Sequence, residues 1–372
     1  MAPPSKDTYR SSGVDAIGAQ SAIRELAKWV NQTFDFNPHK PVLPLGFYAN
    51  VIPLGKDLAL AISTDGVGTK ILVAEEMDKY DTIGIDCVAM NVNDIVCVGA
   101  KPVTLVDYIA VEQADATFLG EIGKGLYEGA RQAGVNIPGG ELAQVREMIR
   151  GKRPGKAFDL VGTCVGTLKP DRIVVGEHVQ PGDALVGIAS SGLHSNGFTL
   201  ARRVLFEQNH LSLRERPADL DRTLGEELLQ PTTIYVPEAV EMLDRVNVKA
   251  LAHITGDGLL NLPRIANRKI GFVIDKPLAV PPIFDMIQKL GKLTLAEMFV
   301  VFNMGMGFCA IVSPKDAQRA IDIATSHGRR AAVVGYAVSD AERRVWLPAQ
   351  RLVSSRGAFR SATEHAPENP RP

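Results

Sequence analysis

The chain has 372 residues, of which 45% are hydrophobic and 22% are charged, and its formal net charge is −1. This composition is typical of a globular protein with two or three domains and enough apolar residues for a large core. Because the net charge is close to zero, no overall positive field attracts nucleic acid or an anionic membrane, so any affinity for phosphate must be local.

The four cysteines, Cys87, Cys97, Cys164 and Cys309, lie in apolar surroundings and form no C-x-x-C pair. We therefore predict buried free thiols in a reducing compartment rather than disulfides or a zinc site. The sequence has no apolar run long enough to cross a bilayer, and its first residues lack the apolar segment of a secretory signal. Together these features predict a soluble, cytoplasmic protein.

The first predicted elements are one helix and two strands. Residues 17–34 have an apolar face with helical spacing, and residues 46–52 form a plausible strand after a proline-rich loop. The apolar run 58–62 predicts a second, buried strand. It leads directly into a loop that contains two glycines.

This first glycine loop is Ser63-Thr-Asp-Gly-Val-Gly-Thr-Lys70, and a helix-compatible segment follows it. Gly66 and Gly68 allow a tight turn close to a ligand, and Lys70 adds a positive charge beside N–H groups that favour an anion. Asp65 would repel a bare phosphate, so it suggests a bridging Mg²⁺. The segment does not match the P-loop pattern. The alternative is an ordinary strand-to-helix turn with a surface lysine.

Residues 82–98 are apolar nearly all round, which predicts a buried helix. Four polar residues interrupt this segment: Asp86, Asn91, Asn93 and Asp94. Asn91 and Asp94 are three residues apart and therefore share one face. Because a buried carboxylate is costly unless it is paired or binds a metal, we interpret this face as part of a site. The alternative is that Asp94 caps a neighbouring element or pairs with an arginine.

A second glycine segment follows a predicted strand over residues 103–111 and a helix over 116–133. Gly139-Gly-Glu141 predicts a tight turn that carries an acid, and on its own this triplet is weak evidence for a site. Residues 145–157 form a basic loop that we expect to be mobile and solvated; closure over a polyphosphate is the alternative. A strand over 158–167 completes the first half.

A boundary near residues 169–170 opens the second half of the chain. A strand over 184–189 ends in Ser190-Ser-Gly-Leu-His-Ser-Asn-Gly197, ahead of a helix over 198–208. This arrangement resembles the first glycine loop, and it presents His194 with several hydroxyl and amide donors near a helix start, which favours a phosphate. A well-capped helix with an incidental histidine is the alternative.

The remaining segments alternate between strands and helices. A third glycine loop, Thr255-Gly-Asp-Gly258, opens a helix from Leu259. Residues 355–372 are polar and proline-rich, which predicts a disordered tail. The other predicted strands are 250–253, 270–274, 307–312 and 331–338, and the other predicted helices are 233–246, 283–290 and 314–326.

Taken in order, these segments resemble the family of aminoimidazole ribonucleotide synthetase, or phosphoribosylformylglycinamidine cyclo-ligase. The resemblance covers nearly all of residues 8–348, and the first glycine loop and the His-Ser-Asn-Gly loop are specific as a pair. The matching segments are Tyr9 with Gly13-Val-Asp15, Ser63 to Lys70, Asp81 to Asp86, Asn91 to Asp94, Gly139 to Glu141, Ser190 to Gly197, Pro231 to Val236, His253 to Gly256, and Glu297-Met-Phe with Phe302-Asn303.

The resemblance implies a two-domain α/β fold that is also found in selenophosphate synthetase, thiamine-monophosphate kinase and formylglycinamide ribonucleotide amidotransferase. In this fold, a mixed-sheet domain (residues 1–169) binds ATP and pairs with its twin in a homodimer. A ferredoxin-like domain (residues 170–350) covers the cleft, and residues 351–372 are left as the tail.

The resemblance also implies a reaction. ATP phosphorylates the formyl oxygen of formylglycinamidine ribonucleotide, and an internal nitrogen then closes the imidazole ring with release of ADP and phosphate. No protein nucleophile is needed, because phosphate is a good leaving group and the ring closure is intramolecular. Mg²⁺ and a lysine would offset the charge of the transferred phosphoryl group.

On this resemblance we expect Asp65, Asp94 and Glu141 to bind Mg²⁺. Lys70 would act on the triphosphate, and His194 would be a proton shuttle that also contacts the substrate. The other nucleotide contacts would be Gly66, Gly68, Thr69, Asn91, Gly139 and Gly140. The other substrate contacts would be Ser191, Gly192, Ser195, Asn196 and Gly197.

The sequence departs from the family pattern at three places. Leu142-Ala-Gln144 stands where the family usually has Thr-Ala-Glu, so a hydroxyl and a carboxylate are missing. Thr255-Gly-Asp257-Gly replaces Thr-Gly-Gly-Gly, and Leu45-Gly-Phe-Tyr48 replaces a glycine-rich segment. Two alternatives therefore stay open: a member of the same fold that phosphorylates another amide or amine, and a non-catalytic nucleotide-binding homologue.

Overall fold

The computed structural model describes residues 16–370, so the predicted matches at Tyr9 and at Gly13 to Asp15 lie outside the described residues. Helix α1 spans Ala16–Val30 and continues as a 3-10 turn over Asn31–Asp35, which confirms the first predicted helix. Its apolar side chains are exposed, however, as Trp29 is 75% accessible. None of the helices within residues 16–370 has the length and apolar character needed to span a membrane.

The first sheet is mixed, and its spatial order is β1-β2-β5-β3-β4. Only the β3–β4 pair is parallel. Side chains alternate along these strands, so one face packs against helices and the other is open. The strands are β1 (Asn50–Pro53), β2 (Ala59–Gly66), β3 (Lys101–Val111), β4 (Gly140–Gln144) and β5 (Phe158–Leu168).

The predicted turn at residues 139–141 is wrong, because Gly140 and Glu141 begin the edge strand β4. Gly140 pairs with Asp107 of β3, and a Cβ at this position would lie 2.4 Å from a carboxylate oxygen of Asp107. The glycine is therefore explained by close strand pairing rather than by a turn.

Three helices, α2 (Ile71–Met77), α3 (Ile83–Cys97) and α4 (Ala116–Ala133), belong to the first half. Asp115 caps the start of α4 by accepting from the N–H of Phe118, and Gly134 ends the helix in the left-handed conformation. The prediction of a buried helix is confirmed for α3, which packs against the first sheet, against α4 and against the second half.

The second sheet has eight strands in the order β13-β12-β11-β8-β10-β6-β9-β7. Within it, β10-β6-β9-β7 form an antiparallel four-stranded unit whose order and connecting helices are those of a ferredoxin-like domain, as expected. The strands are β6 (Ala184–Ala189), β7 (Val248–His253), β8 (Ile270–Ile274), β9 (Met306–Val312), β10 (Ala331–Ser339), β11 (Val345–Leu347), β12 (Leu352–Ser355) and β13 (Ala358–Ser361).

The helices of the second half cover this sheet and fill its connections. The predicted helix over residues 198–208 is α-helical only in its first turn and continues as a π-helical segment over Arg203–Gln208. The helices are α5 (Phe198–Arg202), α6 (Leu224–Leu228), α7 (Val236–Arg245), α8 (Pro282–Gly291), α9 (Leu295–Val301) and α10 (Pro314–Ser326).

The prediction of a disordered tail over residues 351–372 is wrong for much of that segment. Strands β12 and β13 form a hairpin that extends the second sheet, and Phe359 is buried 6.1 Å from the ring of Phe299. Farther along, the hydroxyl of Tyr336 donates to the carbonyl of Pro367. Residues 352–361 form regular structure because their backbone groups are paired and the side chain of Phe359 is buried.

The basic segment 145–157 is anchored rather than loosely solvated. The carboxylate of Glu75 accepts from the backbone N–H groups of Lys152 (2.5 Å) and Arg153 (3.4 Å). The side chain of Arg153 pairs with Asp78, and Lys156 pairs with Asp115. These contacts hold the segment against α2 and the start of α4.

Candidate active site

A cleft lies where the two halves of the chain meet along α3. Two of its polar side chains bind the segment that precedes α7. One carboxylate oxygen of Asp86 accepts from the backbone N–H and the hydroxyl of Thr232, both at 2.7 Å. The amide of Asn93 donates to the carbonyl of Thr233 and accepts from the N–H of Tyr235, both at 2.9 Å. Asp86 and Asn93 are therefore explained by contacts between the two halves.

Lys70 is fully buried, and its ammonium group joins the two halves instead of facing the cleft. Its Nζ lies 2.8 Å from the carboxylate of Asp86 and donates to the carbonyls of His194 (3.1 Å) and Gln230 (2.7 Å). Burial lowers the pKa of Lys70, and the charge of Asp86 opposes that effect. Because these acceptors use the donors of the ammonium group, the geometry conflicts with the predicted contact between Lys70 and a triphosphate.

Asp65 and Asp94 lie together on the walls of a cavity of about 360 Å³. Asp65 ends β2 and accepts from the N–H of Gly66, and Asn91 donates to its backbone carbonyl. One carboxylate oxygen of Asp94 lies 2.9 Å from Nδ1 of His253, so the partner of Asp94 is a histidine and not an arginine. Burial raises the pKa of Asp65, and the charge of Asp94 raises it further. The cavity therefore places two carboxylates on its walls, beside the guanidinium group of Arg264.

Glu141 does not join these two carboxylates. Strand register aligns Glu141 with Tyr108 on the open face of the first sheet, whereas Asp65 lies on the face that packs against α3. Gly139 and Gly140 are at the far edge of the same sheet, three strands from β2. The structure therefore separates the second glycine segment from Asp65 and Asp94.

Asp107 is an acid that sequence reasoning missed. It lies in the same cross-strand row as Asp65, with Gly162 between them, and burial raises its pKa. A Cβ on Gly162 would lie 2.7 Å from the amide nitrogen of Asn91, so this row packs closely against α3. The signal in the sequence was a single carboxylate inside the otherwise apolar strand Leu105 to Ala110.

The first glycine loop, Ser63 to Lys70, and the loop Ser190 to Gly197 meet at the rim of the cleft. Gly68 has a positive φ of 74° and Thr69 is exposed, with its hydroxyl 3.1 Å from that of Thr199 at the start of α5. Asn196 lies beside the third glycine loop, because a Cβ on Gly256 would be 3.3 Å from its side-chain oxygen. The structure thus brings together three of the predicted loops.

His194 is buried at the inner end of its loop with a φ of 63°, an uncommon backbone conformation for a residue other than glycine. Its Nε2 accepts from the N–H of Ser191, and its buried Nδ1 has no hydrogen-bond partner. Burial, with the nearby charges of His253 and Lys70, holds the pKa of His194 well below its usual range. The imidazole is therefore neutral near pH 7.

Most polar groups of this loop bind the protein itself. The hydroxyl of Ser191 donates to the carbonyl of Pro231 at 2.6 Å, and the hydroxyl of Ser195 lies 2.9 Å from that of Thr232. The side chain of Asn303 donates to the carbonyl of Gly192. Asn196 and Gly197 stay partly exposed at the cleft. The loop is thus an internally bonded structure, with few free donors for a phosphate.

Two family models match this chain: AIR synthase related protein, N-terminal domain, over residues 46–168, and AIR synthase related protein, C-terminal domain, over residues 180–347. A phosphoribosylformylglycinamidine cyclo-ligase of Methanococcus maripaludis is 45% identical over 329 residues, which are 88% of this chain and 91% of that protein. The chain belongs to the phosphoribosylformylglycinamidine cyclo-ligase family.

Solved structures support the same fold for this cyclo-ligase family member. PurL of Thermotoga maritima, solved with ADP, matches with a TM-score of 0.54 and 16% identity; the match covers 85% of this chain and 46% of that longer one. Thiamine-monophosphate kinase of Stenotrophomonas maltophilia matches with a TM-score of 0.57 and 18% identity, covering 85% and 93%.

The carboxylates of this family member fit a Mg²⁺ ion that is shared with a substrate. Within residues 16–370, no group of three or more His, Cys, Asp or Glu residues could hold a metal by itself. Mg²⁺ commonly binds through one or two carboxylates together with substrate phosphates. Asp65 and Asp94 match that description, because both line one cavity and no arginine or lysine pairs with either of them in the described chain.

The four cysteines of this cyclo-ligase family member are buried and free, as predicted. Burial raises the pKa of Cys164 and of Cys309 to about 12, so these thiols are protonated and unreactive near neutral pH.

Proposed function

We propose that this chain catalyses the ATP-dependent cyclisation of formylglycinamidine ribonucleotide to aminoimidazole ribonucleotide, with release of ADP and phosphate. The observation that carries the proposal is the 45% identity to a phosphoribosylformylglycinamidine cyclo-ligase over 91% of that protein. The carboxylate pair in the cleft and the three loops at its rim supply a place for this chemistry. The nucleotide-bound PurL structure, which shares the fold, supports ATP as the phosphoryl donor.

ATP would bind at the rim formed by Gly66, Gly68 and Thr69, where the backbone approaches a ligand without side-chain obstruction. Asp65 and Asp94 would hold Mg²⁺, which when bound offsets negative charge on the phosphates. Asn91 fixes Asp65 by donating to its carbonyl at 3.1 Å, and His253 fixes Asp94. The contact from Asn91 holds the backbone of Asp65, the N–H of Gly66 orients its carboxylate, and His253 orients that of Asp94 before any ligand arrives, which reduces the cost of binding.

The loop Ser190 to Gly197 would position the substrate. It would not transfer a proton through a charged histidine. His194 is neutral and buried, and the carbonyl of the same residue accepts from Lys70. Lys70 therefore acts as a positioning residue for the loop, while Asn196 and Gly197 present the exposed contacts. Ring closure is intramolecular, so holding the substrate in a reactive conformation supplies much of the rate.

The open face of the first sheet would be the contact surface of a homodimer. Ile62, Val106 and Tyr108 are 36%, 43% and 44% exposed there. In the register, Val165 pairs with Ile62 and Val161 pairs with Tyr108, while Thr163 pairs with Val106. Several large apolar side chains exposed on one sheet face are typical of an interaction surface. We expect Val106→Lys to give a monomer by sedimentation velocity, whereas Val333→Lys, at a Val that is 38% exposed on β10, should stay dimeric. A dimeric Val106→Lys protein would contradict this surface.

The function is tested by ADP release with Mg²⁺-ATP, with and without formylglycinamidine ribonucleotide, while the aminoimidazole product is followed. Asp65→Asn should abolish turnover, because it removes one charge of the carboxylate pair. Asp57→Asn, at an exposed aspartate just before β2, is the control and should stay active. ADP release that responds to another amide would favour a different substrate, and ATP binding without turnover would favour a non-catalytic homologue.

A further inference from the structure

A second cavity, of about 290 Å³, adjoins the carboxylate cavity and is lined by three arginines. Arg264, Arg268 and Arg343 come from two separated segments of the second half, and the loop Leu45 to Phe47 of the first half closes the other side. No carboxylate lines this cavity. None of the three arginines forms an ion pair within the part of the chain that the structure describes.

Arg343 shows that these charges are close together and uncompensated. Its φ is 57°, its Nε is buried without a hydrogen-bond partner, and its Nη2 makes only a 3.5 Å contact with the carbonyl of Ile265. Burial lowers the pKa of Arg343, and the charge of Arg268 lowers it further. A buried guanidinium nitrogen without an acceptor is costly, so an anion in this cavity would stabilise the site.

Arg264 connects this cavity to the carboxylate cavity, because it lines both. Its Nε donates to the carbonyl of Gly46, its Nη1 donates to Asn261, and its guanidinium group stacks on the ring of Tyr48 at 4.6 Å. The two adjoining cavities therefore have opposite charge. One end suits a cation-bound polyphosphate, and the other suits a separate anion.

We propose that the three-arginine cavity is the subsite for the 5′-phosphate of the ribonucleotide substrate. Planar guanidinium groups bind phosphate oxygens in pairs, and the cavity has several times the roughly 30 Å³ that one water occupies, so a phosphate fits with part of its sugar. The loop around Ser191 and Ser195, which sequence reasoning selected for this phosphate, uses its hydroxyls within the protein. The proposal rests on the proposed function, since it requires a substrate with a phosphate monoester.

The altered segment Leu45-Gly-Phe-Tyr48 gains a role in this arrangement. Leu45, Gly46 and Phe47 of this segment line the arginine cavity. The ring of Tyr48 stacks against the guanidinium group of Arg264, and its hydroxyl donates to the carbonyl of Asn261. A departure from the family's glycine-rich pattern thus coincides with the wall of the new subsite. Arg264 is held by these contacts, so Arg268 and Arg343 are the better positions for a test.

The experiment compares Arg268→Gln and Arg343→Gln with Lys269→Gln, which removes the same charge from the adjacent exposed residue that does not line the cavity. Each arginine change should raise KM for the ribonucleotide about 10- to 100-fold, which is the range for losing charge-assisted hydrogen bonds. KM for ATP and kcat should change little, and Lys269→Gln should match the unmodified protein. Thermal unfolding confirms that each variant is folded.

Binding of ribose 5-phosphate and of ATP, each measured alone by calorimetry, separates this subsite from the overall function. The proposal predicts that ribose 5-phosphate binds the unmodified protein and loses affinity with either arginine change. Loss of ATP affinity instead would mean that the arginines bind the nucleotide, and would overturn the proposal. Equal ribose 5-phosphate binding by all variants would also overturn it. If ADP release fails but arginine-dependent binding persists, the subsite stands and the proposed reaction does not.

Discussion

Lys70→Met tests whether Lys70 is an internal anchor or a phosphate contact. Both Lys70 and Asp86 have side chains with no exposed surface, and their charges are 2.8 Å apart. Methionine keeps most of the apolar stem, so the change creates little cavity, but it leaves the carboxylate of Asp86 without its cation. Removing one partner of a buried ion pair costs about 3–5 kcal/mol. Two hydrogen bonds from Thr232 stay in place, so we expect the lower part of that range.

The assay is urea unfolding at pH 7, followed by circular dichroism, with the free energy of unfolding compared between variants. Lys79→Met is the control, because Lys79 pairs with Asp81 at the same distance of 2.8 Å while both side chains are more than 40% exposed. Exposed pairs contribute about 0–1 kcal/mol, so the control should be nearly neutral. An unchanged unfolding curve for Lys70→Met, combined with a raised KM for ATP, would refute the anchor and restore the phosphate contact.

Three further predictions concern other parts of the structure. The pKa of His194 is lowered on folding, so at acidic pH the unfolded chain binds a proton that the folded chain does not. The free energy of unfolding should therefore fall below about pH 6.5 by up to about 1.36 kcal/mol per pH unit. The free energy of unfolding of His194→Asn, measured from pH 7 to 5, should lack this contribution. Phe359→Ala should cost about 3–5 kcal/mol in urea unfolding, because Phe359 is buried in the hairpin of β12 and β13; no loss would mean that the tail does not pack. Gly197→Ala should lower the thermal midpoint far more than Gly134→Ala: both glycines have positive φ, but only at Gly197 would a Cβ meet a ring, 2.3 Å from Phe302.

Periodicity was sufficient to predict most of the strands and helices, because burial of one face determines where apolar residues recur. The buried helix α3 and the helix α4, with its end at Gly134, were both predicted from such patterns. The hairpin of β12 and β13 was missed because its strands are only four residues long and carry few apolar side chains. Composition suggested disorder there, whereas pairing with β11 supplied the stability.

The candidate site was predicted less completely, because sequence spacing does not determine which polar group a buried side chain meets. Asp65 and Asp94 were found, since an acid beside a glycine loop and an acid in an apolar helix are both unusual. Lys70 belongs to the same loop as Asp65 but points into the protein, where its ammonium group donates a hydrogen bond to the carboxylate of Asp86. The three arginines could not be found at all, because Arg264 and Arg343 are far apart in the sequence and only the fold brings them together.

The arrangement of polar residues on α3 limits how the cleft can open. Asp86 and Asn93 are seven residues apart, so they lie on nearly the same line of a helix with 3.6 residues per turn, and they bind the segment before α7. Asn91 and Asp94 occupy a neighbouring line and face Asp65 and His253. A hinge motion between the halves along α3 would separate Asp86 from Thr232. It would also break the buried ion pair of Lys70 and Asp86 or expose it to solvent. These contacts therefore oppose separation of the two halves along α3, and the Asn91 contact also holds the helix that carries Asp94 against the strand that carries Asp65.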